Sequence, residues 1–247
     1  MNTVRILGLE FFQGTVAEAV KIARAGGLIV APSGPGLVTL PEDEVYRAAL
    51  AAADIRLLDS GLLALLYEFR HRQKLSRVSG YYFLDEFLKL PEVALAGKSL
   101  WVAPSPESAT RTQDWLWRTY HLEAPSPFWH IAPKYDAIKV HDDTLLALTR
   151  RHRPRFIFIG VGGGPQEKLG AWLKSQLDYR PTILCTGAAI AFLTGEQARI
   201  PDWADRAKLG WLMRCLQDPR RFVPRYWQAR KLAPLYWRWD DKDPPKT

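Results

Sequence analysis

The sequence predicts an α/β fold: a largely parallel, Rossmann-like sheet with helices on both faces, followed by a C-terminal helical appendage. Three observations lead there. Short β-branched and aromatic runs alternate with helix-length amphipathic segments. Strands separated by segments of that length run parallel, because only a long crossover returns the chain to the same end of a sheet. Beyond the last strand pattern the chain keeps its helical character but changes its charge. The chain has 247 residues, 47% hydrophobic and 24% charged, which suits one large domain with an appendage and excludes collagen-like, low-complexity and largely disordered classes. The division expected is an α/β core over 1–198, a helical appendage over 199–239 and a flexible tail over 240–247, where the composition DDKDPPKT offers nothing to bury.

Taken in order, the apolar runs predict strands at Val4 to Leu9, Gly27 to Ala31, Ile55 to Leu58, Ser99 to Ala103, Phe128 to Ala132, Arg155 to Gly160 and Thr182 to Thr186. Between them the period lengthens, predicting helices near Val16 to Ala25, Glu42 to Ala53, Gly61 to Phe69, Leu84 to Leu88, Ser108 to Tyr120, Asp142 to Arg151 and Gln166 to Leu177. Two more follow at Pro201 to Arg214 and Pro219 to Lys231. In such a sheet ligands sit at the carboxyl ends of the strands.

Several classes drop out. Cys185 and Cys215 are too few for a disulfide scaffold and lie in no zinc-binding spacing, and no metal site is expected. Met1 to Gln13 lacks the cleavage site of a signal peptide. The most apolar run, Thr182 to Gly195, is shorter than the roughly 20 residues that span a bilayer. A cytoplasmic protein is the expectation.

The net charge of +8 is unevenly placed: residues 206–239 hold nine cations and one anion, so the rest of the chain is formally neutral. Trp211, Tyr226, Trp227, Tyr236, Trp237 and Trp239 are interleaved with those cations. The mixture suits an anionic lipid surface, where Lys and Arg meet headgroups and Trp and Tyr settle at their level. Nucleic acid would accept the same residues, but no helix-turn-helix, zinc-finger or RRM signature accompanies them, and no nucleic-acid partner is expected. A solvated basic face with buried tryptophans is the bland alternative.

The sharpest local feature runs from Arg155 to Lys168. An apolar strand enters the loop Gly160-Val-Gly162-Gly163-Gly164, and Pro165 then opens a helix. Free N–H groups at such a helix start, with the helix dipole, attract a diphosphate. The loop is neither a Walker A sequence nor G-x-G-x-x-G, and a tight turn without ligand explains it equally well. Asp59, after the predicted strand at Ile55 to Leu58, is placed to act as a general base or simply to cap the next helix. The five histidines carry no ligand-pair spacing.

Three ordered blocks resemble the WecG/TagA/CpsF family, glycosyltransferase family 26. The first runs from Ile29-Val-Ala-Pro-Ser33 through Tyr46 to Asp54 and on to Asp59-Ser-Gly61, with Arg77-Val-Ser-Gly80 after it. The second is Ile159-Gly-Val-Gly-Gly-Gly-Pro-Gln-Glu167. The third spans Gly187 to Gly195, Arg199-Ile-Pro-Asp-Trp203, Leu209 to Arg214 and Asp218 to Tyr226. The resemblance implies an inverting transferase that moves a sugar from a UDP-sugar to a polyprenyl-diphosphate-linked saccharide in cell-surface polysaccharide assembly. It implies a site peripheral on the inner face of the cell membrane, without a metal or other cofactor. By position, Asp59 would be the general base. Ser33, Gly162, Gly163, Gly164, Gln166 and Glu167 would hold the donor and its diphosphate, and Arg214, Arg220, Arg221 and Arg225 the acceptor diphosphate and the membrane. A homo-oligomer is left open.

The chain departs from the family pattern at Ala31 for Thr, Ser33 for Asn, Ser60 for Gly, Pro165 for Lys, Ala191 for Asp and Gly210 for Glu. Changed polar contacts imply a changed substrate or none. The departures open the donor to a hexose or uronic acid other than the family's N-acetylated mannose derivatives. The alternative is a catalytically silent homologue acting as a membrane-bound scaffold. A nucleotide-dependent oxidoreductase has only the glycine loop in its favour.

Overall fold

The computed structural model describes residues 1–95, 97–122, 126–136, 139–197 and 200–245. The chain opens with an antiparallel hairpin, β1 (Thr3–Ile6) and β2 (Leu9–Phe12). It turns at Leu7 and Gly8, whose φ angles are 51° and 76°. The single strand expected over Val4 to Leu9 is therefore two, because the left-handed backbone of this pair makes a two-residue hairpin turn.

Six further strands follow: β3 (Gly27–Val30), β4 (Ile55–Arg56), β5 (Ser99–Ala103), β6 (Trp129–Ile131), β7 (Phe156–Ile159) and β8 (Thr182–Cys185). They form one parallel sheet in the order β4-β3-β8-β7-β5-β6. Each coincides with a predicted strand, although β4 keeps only two residues before the chain turns away toward Asp59. Leu28, Val30, Ile157, Ile159 and Ile183 pack into one buried layer, and Ile29, Trp101, Phe158 and Leu184 into the other. Burial on both sides explains why the strands read as unbroken apolar runs.

The helices are α1 (Val16–Ala23), α2 (Gly34–Leu37), α3 (Glu44–Ala51), α4 (Gly61–His71), α5 (Gly80–Leu88), α6 (Pro106–Tyr120), α7 (Asp143–His152), α8 (Pro165–Gln176) and α9 (Ala189–Leu193). Thr15, Ser33, Asp43, Ser60, Ser79, Ser105 and Asp142 cap the first seven, each accepting a backbone N–H with its side chain. Residues of α3, α7 and α8 join the first layer, and those of α1, α5, α6 and α9 the second. The short α2 and α9 had no predicted counterpart.

Four helices close the chain: α10 (Asp202–Arg206), α11 (Gly210–Gln217), α12 (Pro219–Ala229) and α13 (Leu232–Trp239). The single helix expected over Pro201 to Arg214 is broken at Lys208, whose φ of 61° no α-helix can carry. No residue of α11 is buried. Helix α13 is different: Leu232 and Tyr236 are fully buried in the first layer, and the helix packs on α2 and α4. Its sequence follows the appendage, but its packing belongs to the core. Beyond it, the carbonyls of Asp240 and Asp241 accept the N–H groups of Leu7 and Gly8, and Arg47 donates to the Pro244 carbonyl at 2.7 Å. The expected boundary at 198/199 lies outside the described residues. Among the described residues no helix is long and apolar enough to cross a membrane.

Candidate active site

The carboxyl ends of β3 and β4, the start of α5 and the helices α10 to α12 enclose a cavity of about 330 Å³. Ser33 enters it from the end of β3, Asp59 and Ser60 from the end of β4, and Arg77 and Ser79 from the loop before α5. Lys208, Trp211, Arg214 and Arg230 reach it from the C-terminal helices.

Asp59 lies half-buried on the wall. Its Oδ1 accepts from Ser79 Oγ at 3.1 Å and from the Gly80 N–H at 3.0 Å, the first turn of α5. A helix N-terminus favours a carboxylate in that place. These two bonds fix the carboxylate through one oxygen and leave Oδ2 without a hydrogen bond among the described residues. Asp59 does not cap α4: Ser60 does, accepting the Leu63 N–H at 3.2 Å.

Two ion pairs moor the C-terminal helices over the cavity. Arg77 meets Asp205 of α10 with both terminal nitrogens, Nη1 reaching Oδ1 and Oδ2 at 3.1 and 3.2 Å. Lys208 pairs with Glu68 of α4. Arg214 is placed otherwise. Its guanidinium lies 4.5 Å from the Phe192 ring centroid and donates to the Tyr226 hydroxyl at 3.1 Å, its Nε is buried without a partner, and it makes no ion pair among the described residues. That unneutralised charge on the wall suits an anionic ligand.

The glycine loop adjoins this cavity at Ser33. A methyl group built on Gly163 would lie 3.7 Å from Arg225 Nη2 and 3.8 Å from Ser33 Oγ, so both side chains stand over the loop. Gly162 and Gly164 have φ angles of 95° and 96° with open space where a side chain would sit. The backbone there needs glycine, and among the described residues no atom lies within 4 Å of a side-chain carbon built at either position. Pro165 opens α8 as expected. Gln166 and Glu167 are buried below the loop rather than on the cavity wall. Glu167 Oε2 accepts the Gly164 N–H at 2.7 Å, and Oε1 accepts from Gln166 Nε2 at 3.1 Å, leaving Gln166 Oε1 buried without a partner. Burial pushes the Glu167 carboxyl up to about 7, against the opposing effects of those two hydrogen bonds and the Arg225 charge.

The structure thus brings Asp59, Ser33 and Arg214 to one cavity, with Gly163 and Arg225 beside it. Arg220 is exposed and off the wall, and the side chain of Arg221 lies outside the described residues. Of the departures, Ser33, Ser60 and Gly210 line the cavity, whereas Ala31 is buried off the wall and Ala191 sits off the wall in α9. Sequence reasoning quoted Arg77 and Ser79 within a motif but gave them no role. Nothing in the sequence singled out the pairing of Lys208 with Glu68.

Known proteins resemble this chain over most of its length. A 228-residue stretch is 22% identical to the N-acetylglucosaminyldiphosphoundecaprenol N-acetyl-beta-D-mannosaminyltransferase of Staphylococcus aureus strain MW2, covering 88% of this chain and 86% of that protein. Proteins of the same name from strains NCTC 8325 / PS 47 and MRSA252 are also 22% identical, over 228 and 226 residues, with the same coverage. The glycosyl transferase WecG/TagA/CpsF family matches residues 4–242, nearly the whole length, and the chain belongs to that family.

Proposed function

We propose that this glycosyltransferase moves a sugar from a UDP-sugar to a polyprenyl-diphosphate-linked saccharide with inversion, Asp59 acting as general base. The observation that carries the reading is Asp59 itself, anchored through Oδ1 at the start of α5 on a cavity wall that also bears Arg214. The names of the relatives, which describe an undecaprenyl-diphosphate-linked acceptor, supply the acceptor class.

In this reading Asp59 Oδ2 takes the proton of the acceptor hydroxyl as its oxygen attacks the anomeric carbon. The bond from that carbon to the UDP oxygen breaks on the opposite face, and UDP leaves with the electron pair. The loop at Gly162 to Gly164, with Ser33 and Arg225, holds the leaving diphosphate. Developing negative charge there is stabilised by the Gly162 and Gly163 N–H groups and the Arg225 guanidinium, the Gly164 N–H being held by Glu167. Gln166 and Glu167 shape the loop from below, and Arg214 meets the acceptor diphosphate. No metal is required in this scheme. Exposed Trp211, Leu212, Leu216, Val223 and Trp227 on α11 and α12, among the basic residues, support peripheral attachment to the anionic inner face of the membrane.

The test is Asp59→Asn. Loss of a general base lowers turnover by about 10²–10⁴-fold, while calorimetric affinity for UDP stays unchanged. Undiminished turnover removes Asp59 from the mechanism. A wild-type chain that binds UDP-sugars in the presence of vesicle-borne acceptor but transfers none of them identifies the silent homologue instead.

A further inference from the structure

Helix α4 is apolar on the side where a surface helix is normally polar. Its inward side is ordinary: Leu63, Ala64 and Tyr67 are buried. At 100° per residue, Leu62, Leu65 and Phe69 fall within about 60° of one another on the opposite side. Leu65 is 38% exposed and Phe69 77% exposed. Leu62 lines the active-site cavity, so the stripe begins at the site and runs roughly 10 Å along the helix to Phe69.

At its far end the stripe meets α13. The Phe69 and Trp237 rings lie 6.2 Å apart, and Trp237 is 51% exposed. Two acidic groups nearby are paired with cations: Glu68 with Lys208, and Asp240 with Arg70 at 3.1 Å. The Arg70 guanidinium lies 5.2 Å from the Trp237 ring centroid, and Arg72, Lys74 and Arg238, near the pair in sequence, are exposed. An apolar stripe ending in an exposed Trp and Phe, with Arg70 against the Trp ring and exposed basic residues close by in sequence, has the chemistry of a surface that enters the headgroup region of an anionic bilayer.

We propose that the outer face of α4, with Trp237 of α13, is a bilayer-contacting surface of the core, separate from the one on α11 and α12. The inference rests on the peripheral attachment proposed above and extends it to an element outside the appendage. It orients the enzyme: with the membrane against α4, the part of the cavity wall at Leu62 is turned toward the lipid surface, where a lipid-borne diphosphate arrives.

The experiment is co-sedimentation of the full chain with vesicles of phosphatidylcholine and phosphatidylglycerol, and with phosphatidylcholine alone, for wild type and the double variant Leu65→Gln/Phe69→Gln. Both side chains are exposed and off the cavity wall, and an unchanged melting temperature checks that the fold persists. The partition coefficient on anionic vesicles should fall at least tenfold, with transfer to a short-chain, water-soluble acceptor unaffected. A second variant, Arg72→Glu/Lys74→Glu, should weaken the preference for anionic vesicles without abolishing it, since the cations of α11 and α12 remain. Wild-type binding with no loss in the Leu65/Phe69 variant overturns this inference and leaves attachment through α11 and α12 standing. No vesicle binding by wild type overturns both. A wild-type dimer in solution that the Leu65/Phe69 variant dissociates, with vesicle binding unchanged, makes the stripe a contact between copies of the chain and also overturns it.

Discussion

Glu167 offers a quantitative test of the glycine loop. Its carboxyl is buried and pushed up from 4.5 to about 7, a difference of about 2.5 pH units. At 1.36 kcal/mol per unit, the ionised group costs the folded state about 3 kcal/mol relative to the unfolded chain. Between pH 4.5 and about 7 the native state holds a proton that the unfolded chain has released, so stability falls as pH rises through that window and stays lowered above it. Other carboxyls act in the opposite sense: hydrogen bonds and ion pairs hold Asp54 and Glu68 below the usual range, so their contribution is lost on acidification. A single curve mixes these effects, and the difference between two proteins isolates one. Glu167→Gln keeps an acceptor for the Gly164 N–H and can offer an N–H to Gln166 Oε1, now buried without a partner. Urea unfolding followed through the fluorescence of the ten tryptophans gives both stabilities at pH 5 and at pH 8. Between those values wild type should lose about 2.5 kcal/mol more than the variant. Parallel curves, with the difference below about 1 kcal/mol, would refute the claim that an ionisable group is buried beneath the loop.

Two further outcomes follow from the C-terminal helices. Asp205→Asn removes the charge that meets Arg77 and should lower stability by about 2 kcal/mol, with limited proteolysis opening residues 200–209 first; resistance equal to wild type would mean the ion pair does not hold α10 down. Leu232→Ala should cost about 3 kcal/mol in urea unfolding, as expected of a fully buried core leucine, whereas a detached appendage would tolerate it without change.

The sheet was legible because strands buried on both faces must be apolar throughout, as FIFI in β7 and TILC in β8 are. The hairpin was not, since Leu7-Gly8 lacks the Asn-Gly or Asp-Gly pair that marks such turns. Nor was the break at Lys208, because lysine has no particular preference for left-handed backbone. Helix α13 misled in another way. Its sequence LAPLYWRW mixes aromatics with a cation just as α11 and α12 do, and only the packed structure shows that Leu232 and Tyr236 point inward while Trp237 does not. In the site, Asp59 was legible from its place after a strand and within a family motif. Its Ser79 and Gly80 partners depended on where α5 would start, and the Arg77–Asp205 pair joins positions 128 residues apart that tertiary structure alone introduces.

The clasp between the two ends of the chain has a consequence for folding order. The hairpin turn at Leu7 and Gly8 donates to Asp240 and Asp241, and Arg5 Nε reaches the Asp241 carbonyl across 236 positions of sequence. Contacts of such separation form late, because a long loop must close before they give any return. During synthesis the first strands emerge long before their seal does, so β1 and β2 wait with part of their backbone unsatisfied until the final helix has been made. The helices over the active site are then caught between two fixed points, the sheet at one end and this clasp at the other. They form a strap tied down at both ends rather than a flap free at one, and whatever room a substrate needs must come from slack within the strap.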